Sequence, residues 1–413
     1  MRKTELLVPA GSLEVLKIAV IYGADAVYIG GEVFGLRAKA KNFSMEDMKE
    51  GIEFAHAHNV KVYVTANILA HNYDLDGVRE YFNELKSVRP DALIISDPGI
   101  FTIAREVLPD MEIHISTQAN NTNYGTYNFW YKLGAKRVVT ARELSLAEIK
   151  EIRANIPDDM EIETFIHGAM CISYSGRCLL SNFMVGRDAN RGECTHPCRW
   201  KYSLMEEKRP GEYFPVYENE RGTYIFNSKD LCMIEHLPDL IEAGIDSFKI
   251  EGRMKTALYV ATVARTYRKA IDDYMESPDK YRENMPWYLD QISDCTYRQF
   301  TTGFFYNKPS EDAQIYTNNT YLKDYTFLGI VGDTDENGLY CIEQKNKFSV
   351  GERIEVMKPN GDNIEVTVKR IVNDDGENME SCPHPLQSLH IDLGIKLERY
   401  DVLRRKEDDK LAE

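Results

Sequence analysis

The feature that most constrains the fold is an alternation of short β-rich runs with segments of helical period between residues 6 and about 275. This alternation is typical of βα units, in which helices cover a parallel sheet. Nine runs qualify as strands: 6–10, 26–31, 61–67, 92–97, 113–118, 137–142, 162–168, 224–228 and 247–252. A closed (β/α)8 barrel needs eight. We therefore predict a TIM-like barrel in which one run is an accessory strand or a loop.

The rival architecture is an open, doubly wound sheet, but its phosphate-binding signatures are missing. No G-x-G-x-x-G follows the first strand, and no G-x-x-x-x-G-K-[ST] occurs in the sequence. In a barrel, the carboxyl ends of the strands form the active-site face. We therefore expect the polar residues at the strand ends to converge on one mouth: Asn67, Asp97, Gln118, Arg142, His167, Lys229 and Glu251.

From about residue 310 the pattern changes to short alternating runs separated by turn signals. Asn-Gly pairs at 337–338 and 360–361 lie between strand-like runs and are strong hairpin signals. We predict a barrel domain over 1–310 with a Cys-rich insertion at 165–232, a small antiparallel β-barrel domain over 320–405, and a charged tail at 406–413.

Composition narrows the class of protein. A net charge of -16 argues against broad nonspecific binding to nucleic acid, although basic islands occur at 186–201 and 247–269. No apolar run approaches the ~20 residues of a membrane helix, and "MRKTELLVPAGS" contains no secretory h-region. We expect a cytoplasmic protein with no membrane partner.

Four of the eight cysteines, Cys171, Cys178, Cys194 and Cys198, fall within 28 positions. Four thiolates suit Zn²⁺ or an iron–sulfur cluster, and the wide, irregular spacing fits a [4Fe-4S] cluster better than two zinc knuckles. Cys232 is a fifth candidate. The alternatives are buried, inert thiols or a catalytic Cys with a His base, for which His167 or His196 is close in sequence.

Polar and aromatic residues near the strand ends are candidates for substrate binding. His114, Ser116 and Gln118 alternate along one strand, so we expect them to share an inward face. Lys249, Glu251 and Arg253 lie at the end of a predicted strand or directly after it, in the basic island 247–269. Arg187 and Arg199 belong to the other basic island, 186–201. Three aromatic residues near the cysteines could stack on a base, although core packing is favoured for them: Tyr174, Phe183 and Trp200.

The stretch "ETFIHGAMCISYSGRCLLS" resembles the signature of the collagenase-like peptidase family U32. The segments "LLVPAGS", "GADAVYIGG", "RGECTHPCRW", "NSKDLC" and "SFKIEGRMK" extend the resemblance over most of the chain. Several members of this family are similar to oxygen-independent hydroxylation proteins that act on tRNA uridine, ribosomal RNA or ubiquinone precursors. The two-domain layout is most similar to the tRNA branch, which uses prephenate to make 5-hydroxyuridine at the wobble position.

The resemblance implies a [4Fe-4S] cluster held by Cys171, Cys178, Cys194 and Cys232. Cys198 is then not a cluster ligand. It also implies prephenate as co-substrate and the anticodon loop of tRNA as partner. With the strand-end pattern, it leads us to assign candidate catalytic roles to Glu163, His167, Lys249 and Glu251. We assign candidate substrate-binding roles to Asn67, His114, Gln118, Arg187, Arg199 and Arg253.

Two other functions stay open at this point. One is the peptidase that the family name describes, although the sequence has no G-x-S-x-G and no H-E-x-x-H. The other is a non-catalytic subunit in a hetero-oligomer with a related family member.

Overall fold

The computed structural model describes residues 4–35, 42–171, 173–200, 203–204, 214–215, 227–295, 299–307, 314–315, 325–384 and 386–407. The first seven strands are β1 Glu5–Pro9, β2 Ala26–Gly30, β3 Lys61–Ala66, β4 Ala92–Ile95, β5 Glu112–Ile115, β6 Arg137–Val139 and β7 Glu161–Ala169. Short strands follow, namely β8 Ser203–Leu204, β9 Phe214–Pro215, β10 Asn227–Ser228 and β11 Asp230–Cys232, before β12 Ser247–Ile250. Strands β1 to β7 and β12 are parallel neighbours, and β12 pairs with both β1 and β7.

This closed eight-stranded sheet confirms the predicted TIM-like barrel and identifies the surplus strand candidate. Of the run 224–228, the structure describes only β10, which pairs antiparallel with β14 (Gln314–Ile315) outside the barrel. Residues 224–226 lie outside the described residues. Strand β11 adds antiparallel to the end of β7, and β13 (Phe300–Thr301) adds to β11.

Helices cover the outside of the barrel. They are α1 Leu13–Ile21, α2 Met45–Ala57, α3 Val78–Val88, α4 Pro98–Val107, α5 Tyr124–Lys132, α6 Leu146–Ala154, α7 Leu180–Val185, α8 Leu237–Glu242, α9 Ala257–Glu276, α10 Pro278–Glu283 and α11 Met285–Ser293. Local sequence fixes many of their starts, because the side chain of Ser12, Ser44, Ser145 or Thr256 accepts a hydrogen bond from an otherwise unpaired N–H of the first turn. Most of these helices follow a barrel strand in the chain, whereas α10 and α11 continue from α9.

The C-terminal part is one antiparallel sheet of eight strands, as the Asn-Gly hairpin signals indicated. Its strands are β15 Tyr325–Thr334, β16 Tyr340–Gln344, β17 Arg353–Met357, β18 Ile364–Thr367, β19 Arg370–Asn373, β20 Asn378–Met379, β21 Ser388–Asp392 and β22 Val402–Lys406. They are ordered β18-β17-β22-β15-β16-β21-β19-β20 and curl around a separate apolar core that includes Leu328, Phe348 and Leu403.

Buried polar contacts fix this sheet to the barrel helices. The Tyr22 hydroxyl, at the end of α1, donates to the carbonyl oxygen of Met357 at 2.8 Å. Arg265 on α9 donates to the carbonyl oxygen of Lys358 at 3.0 Å. Met357 and Val402 also belong to the barrel's apolar core. The interface is thus an extension of the core and not a flexible contact. Among the described residues, no helix has the length and apolar character required to span a bilayer.

The interface predicts a strong dependence of stability on Arg404. This side chain is 1% exposed, and its guanidinium lies 2.8 Å from the Asp294 carboxylate, contacts Glu355 and stacks 3.9 Å from the ring centroid of Tyr325. Arg404→Ala leaves two carboxylates without their cation, so we expect a loss of about 3–5 kcal/mol in the free energy of unfolding. Urea denaturation measures it.

Arg353→Ala is the matched control, because Arg353 pairs with Glu365 on the same sheet but its side chain is 79% exposed. Surface ion pairs contribute less than ~1 kcal/mol. Equal losses from the two variants would contradict the role given to Arg404.

Candidate functional site

A cavity of about 210 Å³ lies at the carboxyl ends of the barrel strands. Its floor and walls come from strand residues and strand ends, including Tyr28, Thr65, Ile94, Val139 and Phe165. The remaining wall comes from the segment 169–198, which follows β7. The active-site face that the sequence predicted is therefore present, and one long segment closes it on one side.

Three cations line this cavity against one carboxylate. Lys249 is the last but one residue of β12, Arg253 follows that strand, and Arg142 follows β6, whereas Glu251 is the opposing acid. The Arg142 guanidinium stacks 3.8 Å from the ring centroid of Phe165, and it forms no ion pair with any residue that the structure describes. The cavity thus has an excess of positive charge and guanidinium groups at its surface, which suit an anion.

Close packing holds the Arg253 guanidinium at the cavity. It donates to the Thr65 hydroxyl and to the Asn42 side-chain oxygen, both at 3.1 Å. A Cβ atom at Gly30 would lie 2.5 Å from Nη1 of Arg253, so only glycine leaves room for the guanidinium there. The requirement at Gly30 is therefore close approach, because its backbone is ordinary β structure.

A buried network of charged groups lies beneath the cavity, in the barrel interior. The Lys249 ammonium donates to Glu163 at 2.6 Å, and Arg137 donates to the same carboxylate at 3.1 Å. Arg137 also contacts Glu5 at 2.6 Å, and the Tyr63 hydroxyl donates to Glu5 at 2.6 Å. The network runs from the amino-terminal end of the barrel to Lys249 on the cavity floor.

The network fixes the protonation of its central carboxylate. Burial raises the pKa of Glu163, but the positive charges of Lys249 and Arg137 outweigh burial and hold the pKa below its ordinary value. Burial lowers the pKa of Lys249, and the Glu163 carboxylate opposes that shift. Glu163 is thus an ionised anchor that orients the Lys249 ammonium, rather than an acid that donates protons at neutral pH.

Hydrogen-bonding side chains line the opposite side of the cavity. Asn67, Ser116 and Gln118 all belong to the lining, and the Asn67 amide donates to the Ser116 hydroxyl at 3.2 Å. His114 shares their inward orientation, as expected, but it is fully buried below the cavity. Its Nε2 lies 2.7 Å from the Glu112 carboxylate, and burial lowers the pKa of its imidazole. The structure therefore separates His114 from the cavity-lining candidates.

Four thiols line the same cavity: Cys171, Cys178, Cys194 and Cys198. Cys232 is not in that lining; its sulfur lies 3.7 Å from the Tyr267 hydroxyl, against α9. No set of three His, Cys, Asp or Glu side chains converges tightly enough for a metal ion within the described part of the chain. The donor chemistry of the cavity nevertheless suits a thiolate-ligated group.

Three strand-end residues do not reach the cavity, for local reasons. The Asp97 carboxylate caps α4 by accepting from two backbone N–H groups. The pairing of β7 with β12 shifts register so that Lys249 opposes Phe165 and Ile250 opposes His167. This bulge directs His167 to the outside of the barrel, where it contacts Tyr267. Lys229 follows β10, which is not a barrel strand.

Of the two substrate-binding candidates in the first basic island, the structure describes the side chain of only one. Arg187 is half-buried just after α7 and is not part of the cavity surface. The side chain of Arg199 lies outside the described residues.

The favoured core role of three aromatic residues is wrong. Tyr174, Phe183 and Trp200 are 47%, 85% and 42% exposed, and Tyr174 lines the cavity. Sequence analysis also missed Arg137, Glu5 and the rings of Tyr28 and Phe165. The only sequence signal for a buried charged network was the alternation of Glu161 with Glu163, itself a predicted site residue, along β7.

The fold and site together define a (β/α)8-barrel protein with a cationic, thiol-lined cavity at its active-site face. The chain belongs to Peptidase family U32. The profile of that family matches residues 11–315, and the profile of the Peptidase family U32 C-terminal domain matches residues 323–404. The predicted family resemblance is confirmed.

Characterised relatives carry a more specific name than the family does. The chain is 42% identical over 405 residues to "tRNA hydroxylation protein P1" of Bacillus subtilis, covering 98% of this chain and 95% of that protein. It is 41% identical to "tRNA hydroxylation protein P" of Escherichia coli, covering 93% and 92%. It is 37% identical to "tRNA hydroxylation protein P2" of Bacillus subtilis, covering 75% and 99%.

The buried network predicts a pH dependence of stability. Burial would raise the pKa of Glu5, but Arg137 outweighs it and the pKa falls to about 2, from an ordinary 4.5. A carboxylate whose pKa is lowered in the folded state stabilises the fold above pH 4.5, where it is ionised in both states. That stabilisation, on the order of 3 kcal/mol, is lost as pH falls towards 2. We expect Glu5→Gln to remove most of this slope in urea unfolding between pH 5 and about 2.5.

Glu53→Gln is the control for this measurement, because Glu53 is exposed on α2 and has no ion pair within the described ranges. If wild type and Glu5→Gln lose stability in parallel on acidification, Glu5 does not carry the effect.

Proposed function

We propose that this chain hydroxylates C5 of the wobble uridine in tRNA, without molecular oxygen, with prephenate as co-substrate and a [4Fe-4S] cluster at the cavity. The names of the relatives support tRNA hydroxylation. The observation that carries the proposal is that three cations and four thiols line one cavity at the active-site face. An anionic co-substrate and a redox group would thereby lie side by side.

The cations complement a dicarboxylate such as prephenate. Arg142 and Arg253 present guanidinium groups that match carboxylate geometry, and Lys249 adds an ammonium whose position Glu163 fixes. The rings of Phe165 and Tyr28 lie against these cations, with Lys249 Nζ 4.4 Å from the Tyr28 centroid, and give an apolar wall for a six-membered ring. The chain binds and orients the co-substrate through these contacts.

The base would occupy the other side of the cavity. Asn67 and Gln118 offer amide donors and acceptors for the edge of an extruded uracil, the mode by which proteins bind unpaired bases. Replacement of C5–H by C5–OH removes two electrons from the base, so the reaction needs an electron acceptor and a donor of the oxygen atom. A cluster held by the cavity thiols would pass those two electrons, one at a time, to an external electron acceptor.

The cluster ligands divide into a shared set and one contested position. Cys171, Cys178 and Cys194 are ligands in both assignments that we consider. Cys232 completes the set that the family resemblance implies, whereas Cys198 is the fourth thiol on the cavity. We retain Cys232 in the proposal and treat Cys198 as its direct competitor.

Iron analysis decides between the two ligand sets. After anaerobic purification, we expect Cys171→Ser, Cys178→Ser and Cys232→Ser to lose most of the iron and acid-labile sulfide, because each removes a ligand. Cys198→Ser should keep both, together with the visible absorbance. The reverse pattern for Cys198 and Cys232 would assign the cavity thiol instead, and wild type without iron would overturn the cluster.

Calorimetry tests the co-substrate site. Arg142→Met and Arg253→Met should each weaken prephenate binding about 10-fold to 100-fold, because each removes charge-assisted hydrogen bonds worth roughly 1.5–3 kcal/mol. Arg79→Met is the control, since Arg79 is exposed and pairs with Glu106 on the outer helices. Unchanged affinity in both cavity variants would place the carboxylates elsewhere.

Nucleoside analysis of tRNA tests the reaction itself. The purified chain, prephenate and unmodified tRNA should yield 5-hydroxyuridine anaerobically. Two relatives from Bacillus subtilis share the name and differ in length, so the assay is run with and without a related family member. Activity only in the mixture would assign this chain to a two-protein hydroxylase. Peptide release from gelatin by chelator-treated protein, abolished in Cys171→Ser, would make it a peptidase.

A further inference from the structure

We propose that the outer surface beside the cavity is an RNA-stacking rim, formed by Tyr174, Arg177, Leu179, Phe183 and Arg187. Unpaired bases next to the reacting nucleotide would stack on it while that nucleotide enters the cavity. The inference rests on the proposed function in one respect, that the substrate is RNA. It adds the surface that holds the RNA outside the cavity.

Helix α7 is oriented with apolar residues towards solvent. Leu180 lines the cavity and Ser181 is fully buried, so these residues face the barrel. Leu179 and Phe183 lie one turn apart, joined by a 2.9 Å backbone hydrogen bond, and are 68% and 85% exposed. A surface helix normally turns its apolar side inwards. Exposed apolar residues beside a cavity mark a binding surface.

The rim is anchored to its surroundings, so its exposure is a defined feature of the fold. The Asn120 amide, after β5, donates to the carbonyl oxygen of Ser175 at 2.7 Å. The Asn190 amide donates to the carbonyl oxygen of Cys178 at 3.2 Å, and Thr195 N–H donates to the Ser181 hydroxyl at 3.2 Å. Because these bonds hold the backbone that carries the rim, little backbone entropy is lost when a base stacks on it.

The charges around the rim favour a nucleic acid. Residues 174–200 contain four arginines and two carboxylates, in a chain whose net charge is -16, and one of the four, Arg191, is paired with Asp74. Arg177 is exposed and Arg187 half-buried, and neither forms an ion pair with a residue in the described ranges. One of the two acids, Asp188, accepts a hydrogen bond from its own turn. Arg177 and Arg187 can therefore contact phosphates beside the stacked bases.

A second protein is the rival occupant, because apolar side chains also attract protein partners. The position of the rim argues against a protein partner, since Tyr174 and the neighbouring Leu180 contribute to the cavity wall. A protein seated on the rim would cover the cavity that the substrate must enter. A single-stranded loop can instead place one base in the cavity and stack its neighbours outside, as RNA-binding proteins commonly do.

Fluorescence anisotropy with a labelled anticodon stem-loop tests the proposal on the full chain. Phe183→Ala should weaken RNA binding about 10-fold, and Phe183→Trp should restore it, because stacking needs an aromatic face. Phe129→Ala is the matched control: Phe129 is 53% exposed on α5, on the outer wall, and its loss should leave affinity unchanged. Prephenate binding should be unchanged in all three.

Salt dependence separates stacking from phosphate contact. The slope of log affinity against log salt should fall by about one in Arg177→Gln and stay constant in Phe183→Ala, because only the first removes a cation.

Wild-type affinity retained by Phe183→Ala, or equal weakening by Phe129→Ala, would overturn the rim even if the chain hydroxylates tRNA. A change of oligomeric state in Phe183→Ala with intact RNA affinity would overturn it in favour of a protein partner. No RNA binding by wild type would overturn the proposed substrate together with the rim.

Discussion

The ion pair between Glu163 and Lys249 is the interaction on which the site depends. A carboxylate buried in a barrel interior is costly unless cations and hydrogen bonds surround it. Lys249 and Arg137 meet that requirement from the strands on either side of β7, at 2.6 and 3.1 Å. The same contact holds the Lys249 ammonium on the cavity floor. The charge that stabilises the barrel interior thus also organises the binding surface above it.

The cavity combines groups from two parts of the fold. Strand ends supply Lys249, Arg142 and Arg253, whose positions the closed sheet fixes. The segment after β7 supplies the thiols and the rim. A hydrogen bond from Asn120 ties it to the barrel mouth, and one from Asn190 to Cys178 holds it together internally. This division suits a site in which charge must be placed accurately while a large substrate approaches from one open side.

Much of the fold followed from local pattern. The alternation of strand and helix periods gave the barrel, and Asn-Gly turns gave the second sheet. The strand-end rule correctly placed Asn67, Gln118, Arg142 and Glu251 at the cavity. It failed for Asp97, whose carboxylate caps a helix, and for His167, which a bulge turns outwards. In both cases a local interaction overrode the general rule, and neither a cap nor a bulge can be inferred from strand position alone.

The aromatic residues show a similar limit. Tyr174, Phe183 and Trp200 are hydrophobic by composition, and burial is the usual fate of such side chains. They are exposed because the inward face of their segment is already occupied by cavity-lining residues such as Leu180 and by buried Ser181.

The sequence by itself determined the periodicity, the chain order of the elements, the clustering of the thiols and the family. Those properties are encoded in neighbouring residues or in short motifs. The tertiary structure decided which of the nine candidate strands lies outside the barrel and which thiols share the cavity. It also decided that Glu163 is paired with cations from β6 and β12. These outcomes depend on the closure of the sheet and on strand register, which bring together residues far apart in sequence, such as Glu163 and Lys249, 86 positions apart. No local pattern specifies such pairings.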